Sequence, residues 1–219
     1  SSAASDVYKR QAYVLAVVLG VVVGVVAAVN RGKWIDSALM TISVFGISAP
    51  AFWIAIILQI VICLKFNLLP LSGIDSFKSF ILPGIALGTR YAASIARITR
   101  TSMLDVLSQD YIRTAQAKGL KGWVVTIKHA LRNALIPIIT IAGSDLGNIL
   151  TGSVLVESVF SIPGIGKMLV DSINTRDLPI VQGGVMYIAV ICVVMYLVVD
   201  LLYTVVCLLY TSDAADDLI

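Results

Sequence analysis

The run AYVLAVVLGVVVGVVAAV, Ala12 to Val29, decides the fold class. Its eighteen residues carry no charge, and a helix needs roughly 20 mostly apolar residues to cross a bilayer. Four further apolar windows follow, Ser37 to Leu64, Phe80 to about Arg100, Leu135 to about Val156 and Ile180 to Val206. Backbone groups in lipid must bond internally, and runs this long suit helices better than the alternating pattern of barrel strands. Composition agrees, with 58% of the 219 residues hydrophobic and 13% charged, against about 25% charged in soluble domains. An all-α membrane protein of about five transmembrane helices is expected, and a soluble globular domain is excluded.

Lys and Arg set the orientation. Residues 97–132 carry Arg97, Arg100, Arg113, Lys118, Lys121, Lys128 and Arg132 against only Asp105 and Asp110, and the first loop holds Arg31 and Lys33, so both loops should be cytoplasmic. The loops Lys65 to Ser79 and Glu157 to Pro179 are nearly balanced in charge and should face outward. No basic stripe with interleaved aromatics supports a nucleic-acid partner. Cys63, Cys192 and Cys207 have neither CxxC nor Cys/His spacing, so no disulfide framework, metal site or cofactor is implied. The ends, Ser1 to Gln11 and Cys207 to Ile219, fit poorly with the adjoining apolar runs and are read as non-native tails around a transmembrane domain at 12–206.

The cytoplasmic stretch DYIRTAQAKGLKGWVVTIKHALRNALIP, Asp110 to Pro137, is patterned rather than linker-like. Asp110 is suited to cap a helix through Lys118, and Gly119 suits the left-handed position that ends it. Two turns are too short to be stable alone in water, so this helix needs a partner surface. Trp123, Ile127 and Leu131 then recur at spacing four, as in an amphipathic interfacial helix feeding the next span.

These residues resemble the transmembrane subunits of ATP-binding-cassette importers of the dipeptide, oligopeptide and nickel class. The hallmark of that family is a cytoplasmic EAAxxxG loop followed by IxLP. Here the glycine is Gly119 and the EAA positions fall on Arg113, Thr114 and Ala115, so only the second alanine and the glycine match; downstream, Leu131 matches the leucine. RTAQAKG (Arg113 to Gly119) followed by HALRNALIP (His129 to Pro137) is similar to the first of the two peptide-permease subunits. So are RGKWID (Arg31 to Asp36), ILPGIALG (Ile81 to Gly88), ARITRTSML (Ala96 to Leu104), VESVFSIPGIGKMLVDSI (Val156 to Ile173) and DLPIVQG (Asp177 to Gly183). The resemblance implies a non-catalytic permease subunit in a prokaryotic inner membrane, forming half of a solute pathway and lacking its first span. It also implies a second permease subunit, two ATPase subunits that hydrolyse ATP, and an external solute-binding protein as partners. Asp110, Arg113, Thr114, Ala115, Lys118 and Gly119 are the expected coupling residues.

Other readings compete. GIGK, Gly164 to Lys167, superficially resembles a phosphate loop, but Met168 replaces the required Ser/Thr and Ser161 stands where the first glycine belongs. An amphipathic helix with Ile165, Met168, Leu169 and Ile173 on one side is the plainer reading. His129 has no second ligand or nucleophile near it in sequence, and no Ser/His or paired Asp constellation supports an intramembrane protease. An ion-gradient-driven secondary transporter would show paired interrupted helices in two repeats, and no repeat is visible. Gly20 with Gly24, Gly84 with Gly88, and Gly143 with Gly147 form GxxxG spacings that serve generic packing or a dimer face. Ser144, Asn148 and Thr151 make a polar stripe beside Asp145, fit for a pathway or for interhelical hydrogen bonds. Arg90 and Asp145, each near the middle of its window, are expected either to pair across two helices or to face water separately.

Overall fold

The computed structural model describes residues 2–73, 77–151 and 154–216, and among these every regular element is helical. The order is α1 (Ser2–Val29), α2 (Trp34–Ser48), α3 (Ala51–Leu58) continued by a π-helical turn (Gln59–Lys65), α4 (Ile81–Leu107) and α5 (Asp110–Ala117). Next come α6 (Gly122–Val124), a second π turn (Val125–Leu131), α7 (Arg132–Thr151), α8 (Val154–Val159), α9 (Ile165–Asn174) and α10 (Leu178–Asp216).

Among the described residues, three helical stretches are long and apolar enough to cross a membrane, Tyr8–Val29, Gly122–Leu146 and Leu178–Leu201. The expected span at 37–64, with Pro50 inside it, is broken into two helices, Trp34–Ser48 and Ala51–Lys65, bent by 102°. Ala49 and Pro50 take extended backbone at the break, because proline disfavours helical geometry in the residue before it. The apolar runs on both sides hide this corner from a hydropathy reading. The window at 80–100 is α4, whose 27 residues span about 40 Å at 1.5 Å per residue; its arginines lower its hydropathy.

α4 is the centre of the bundle, with α1, α2, α3 and α7 packed around it. α1 lies beside it in the same direction, since Gly88 meets Ala12 near one end while Gly24 meets Ala96 and Thr99 near the other. A Cβ on Gly20 would stand 2.8 Å from the Ala92 carbonyl oxygen, and one on Gly24 would stand 2.6 Å from that of Ala96. The glycines therefore serve close backbone approach within this chain. Val14, Val18 and Val22 on the other side of α1 are exposed, as a lipid-facing surface permits.

The interior divides into two buried clusters. One joins Tyr8, Ala12, Leu82, Leu87, Ile149, Phe160 and Ile162. The other, at the end toward the basic loops, joins Ala28, Ile95, Met103, Ile112, Ala115, Val125, Ala130 and Ala134. Ser43 donates to the Leu39 carbonyl at 2.8 Å and Thr140 to that of Ile136 at 2.9 Å, which satisfies both hydroxyls without water.

Candidate functional site

α5 occupies the turn between α4 and the α6–α7 helix. Its N-cap is Gln109, not Asp110 as expected; Asp110 occupies the first turn, where its charge still favours the helix dipole. The C-terminus follows the sequence reading. Gly119 has φ +77°, its N–H donates to the Gln116 carbonyl at 2.9 Å, and the Leu120 N–H reaches that of Ala115 at 3.4 Å. This is the two-bond Schellman ending that glycine accommodates without strain.

Ile112 and Ala115 are buried in the basic-end cluster with Met103, Val125 and Ala130. Asp110, Arg113, Thr114, Lys118 and Gly119 are exposed. The helix thus has a seat on its own bundle and a free polar face. Ala115 belongs to the seat, so a larger side chain there disturbs the chain itself before it meets any partner. Arg113 and Asp110 approach at 3.7 Å but are 76% and 96% exposed, and such a pair contributes little stability. Asn133 of α7 donates to the Tyr111 hydroxyl at 3.0 Å and to the His129 carbonyl at 2.8 Å, fastening α5 to the following helix.

The segment after α5 is not a separate interfacial helix. Gly122 to Thr151 runs on through the π turn at Val125–Leu131, with Pro137 inside α7. Trp123 and Ile127 are exposed and Leu131 is half-buried.

Two ion pairs escaped the sequence reading. Asp36, only 4% exposed, accepts from Arg100 Nε at 2.6 Å and from its second guanidinium nitrogen at 2.7 Å, and also from the Gly32 N–H at 3.1 Å. The Arg100 hydrogen bonds hold the Asp36 carboxyl below its ordinary range, against the opposing effect of burial. This pair ties the start of α2, ahead of the apolar run at 37, to the basic end of α4. A lone acid in the first basic loop and an arginine at the end of an apolar window were the available signals.

The second is at Glu157, 1% exposed. It pairs with Lys9 at 2.8 Å, while its other oxygen accepts from the N–H groups of Gly166 at 2.9 Å and Lys167 at 3.3 Å. It therefore caps α9 from a distance, and Gly164 has no Cβ because the Glu157 carboxylate fills that space. The GIGK turn is the start of this capped helix. Leu169 is buried while Met168 and Ile173 are exposed.

The polar residues of α7 do not form one continuous stripe of equal exposure. Ser144 is half-buried; Asn148 is exposed and accepts from the Tyr196 hydroxyl of α10 at 2.9 Å. The side chain of Thr151 lies outside the described residues. Arg90 of α4 and Asp145 of α7 act electrostatically on one another but form no ion pair among the described residues. Arg90 is exposed, and Asp145 Oδ2 is buried without a hydrogen-bond partner. Asp145 stands six residues before the end of α7, not at the middle of a 135–156 span.

Curated relatives reach 46% identity over 193 residues, covering 88% of this chain. One is the glutathione transport system permease protein GsiC of Escherichia coli K12. The protein of the same name from Shigella dysenteriae serotype 1 is equally similar, and that of Salmonella choleraesuis is 44% identical over the same length. The chain spans 63% of the length of these relatives. Among solved structures, the inward-facing MetNI methionine ABC transporter superposes with a TM-score of 0.75 at 16% identity, covering 93% of both chains. An amino acid ABC transporter gives 0.62 at 19% identity, covering 91% of this chain and 89% of that one. These two share the fold. Residues 20–207 match the family described as the binding-protein-dependent transport system inner membrane component, and the chain belongs to that family of transport permeases.

Proposed function

We propose that this chain is the permease subunit of an ATP-driven importer of di- and oligopeptides, forming half of the translocation pathway with a second permease subunit. ATP is hydrolysed by two separate ATPase subunits, which dock on α5, and an external solute-binding protein delivers cargo. The observation that carries this reading is the division of α5 into a buried seat, Ile112 and Ala115, and an exposed polar face, Asp110, Arg113, Thr114 and Lys118. A two-turn helix held by its own bundle and closed by a Schellman turn is a rigid projection that moves with α4 and α7. The relatives named for glutathione transport support a peptide-like cargo.

The test is uptake by the assembled transporter in proteoliposomes, with ion gradients collapsed by ionophores. Uptake that persists with ATP and stops without it supports the importer; uptake lost with the gradient overturns it in favour of a secondary transporter. Cysteines introduced singly at Thr114 and Lys118 should cross-link to the ATPase, while one at Ile112 should not.

A further inference from the structure

We infer that Arg90 and Asp145 are separate anchors for the two ends of a zwitterionic solute, the guanidinium taking its carboxylate and the Asp145 carboxylate taking its ammonium group. The inference rests on the importer reading above and names the charge pattern of its cargo.

The argument begins with how this protein treats its other buried acids. Asp36 takes a bidentate guanidinium and a backbone N–H. Glu157 takes a lysine and two backbone N–H groups. Each is saturated, as a buried carboxylate must be. Among the described residues Asp145 is the exception, for its Oδ2 is buried with no hydrogen bond, although a guanidinium lies within electrostatic range on the neighbouring helix α4.

Arg90 does not close that distance. It remains exposed, with no hydrogen bond or ion pair among the described residues. Nearby hydroxyls do not compensate either, because Tyr13 of α1 donates to the Ala142 carbonyl and Tyr196 donates to Asn148.

Opposite charges held near each other but unpaired, on facing helices of a transport bundle, keep their binding capacity. Arg90 lies nine residues into α4 and Asp145 six residues before the end of α7, about 13 Å and 9 Å from the outward ends of their helices. Both therefore lie in the outward part of their helices. A solute carrying only one charge would neutralise one anchor and leave the other exposed in a medium that disfavours it. A zwitterion neutralises both, and charge-assisted hydrogen bonds at each end fix its orientation. A short peptide with free termini has this chemistry.

The experiment uses the assembled transporter in proteoliposomes with ATP and three probes: trialanine, N-acetyl-trialanine and trialanine amide. Initial uptake is compared at equal occupancy of the external binding protein, so discrimination at that step divides out. The wild type should move each blocked peptide about tenfold more slowly than trialanine, the loss of one charge-assisted bond. Asp145→Asn should erase the difference between trialanine and its N-acetyl form while keeping the amide defect. Arg90→Gln should do the converse, and Arg90→Lys should keep the wild-type pattern. Equal uptake of all three probes by the wild type, or parallel slowing of all three by the variants, overturns the anchors while leaving the importer reading intact. Absence of any ATP-dependent trialanine uptake in the wild type overturns both.

Discussion

Replacing Asp36 by asparagine keeps the shape of the side chain and removes its charge, leaving the Arg100 guanidinium facing a neutral amide. The pair is bidentate, with contacts of 2.6 and 2.7 Å. Breaking a fully buried ion pair by deleting one partner costs about 3 to 5 kcal/mol. The Arg100 side chain is 26% exposed, so water recovers part of that loss and about 2 to 3 kcal/mol is expected. A cycle combining Asp36→Asn with Arg100→Gln should give a coupling energy of about 2 kcal/mol, because removing both partners leaves no stranded charge. Unfolding in mixed micelles titrated with SDS and followed by tryptophan fluorescence supplies the free energies.

The same pair fixes a pH response. A carboxylate whose pKa is lowered on folding contributes fully above its unfolded value of about 3.9 and loses the contribution as pH falls through the lower folded value. Wild-type stability from this source should therefore be level between pH 8 and pH 5 and fall in stronger acid, with that component missing in Asp36→Asn. A loss under 0.5 kcal/mol, or a coupling energy that small, would refute the assignment of the α2–α4 junction to this ion pair.

Four other substitutions, Gly122→Ala among them as a control, test separate parts of the bundle. Gly24→Ala places a Cβ 2.5 Å from that of Thr99, against a normal 3.5 to 4.0 Å, so α1 must retreat by about 1 Å at a cost of about 1 to 3 kcal/mol; Gly122→Ala, with nothing within 4 Å, should unfold like the wild type in the same titration. Gly119→Ala meets no neighbour but must adopt φ +77°, a strain of about 1 kcal/mol, and should speed hydrogen exchange of the α5 amides about fivefold. Glu157→Ala removes the acceptor for Gly166 and Lys167 and the ion-pair partner of the buried Lys9 ammonium, so a loss of about 3 to 5 kcal/mol should appear as faster proteolysis between Phe160 and Leu178.

The sequence reveals what depends on a local rule. Apolar runs identify α1 and α10 because lipid demands length and apolarity from each residue in turn, and Gly119 marks the end of α5 because a left-handed position favours glycine. The corner at Ala49–Pro50 is harder to read: it leaves hydropathy unchanged, and only the proline signals it. Asp36 and Arg100 stand 64 residues apart, and nothing along the chain says that one faces the other. For the same reason the window arithmetic places Arg90 and Asp145 at similar depth but does not show that they remain unpaired. The exposed face of α5 was legible from its polar residues, whereas the inward orientation of Ala115 required the cluster around Met103 and Val125.

The parallel contact of α1 with α4 also has a timetable. Gly20 leaves the ribosome 72 residues before Ala92, the residue it meets, and at 5 to 20 residues per second that is about 4 to 14 s. During this interval the glycine face of α1 waits for the α4 backbone it will pack against, while α2 and α3 are made and turn their corner. Lipid tails are as apolar as the eventual neighbour, so the waiting helix loses little by being exposed. What it lacks is close packing, which begins only when α4 slides in alongside. Slowing synthesis between Ser37 and Ile81 would lengthen the wait without changing the final structure, and degradation of nascent chains during that pause would register it.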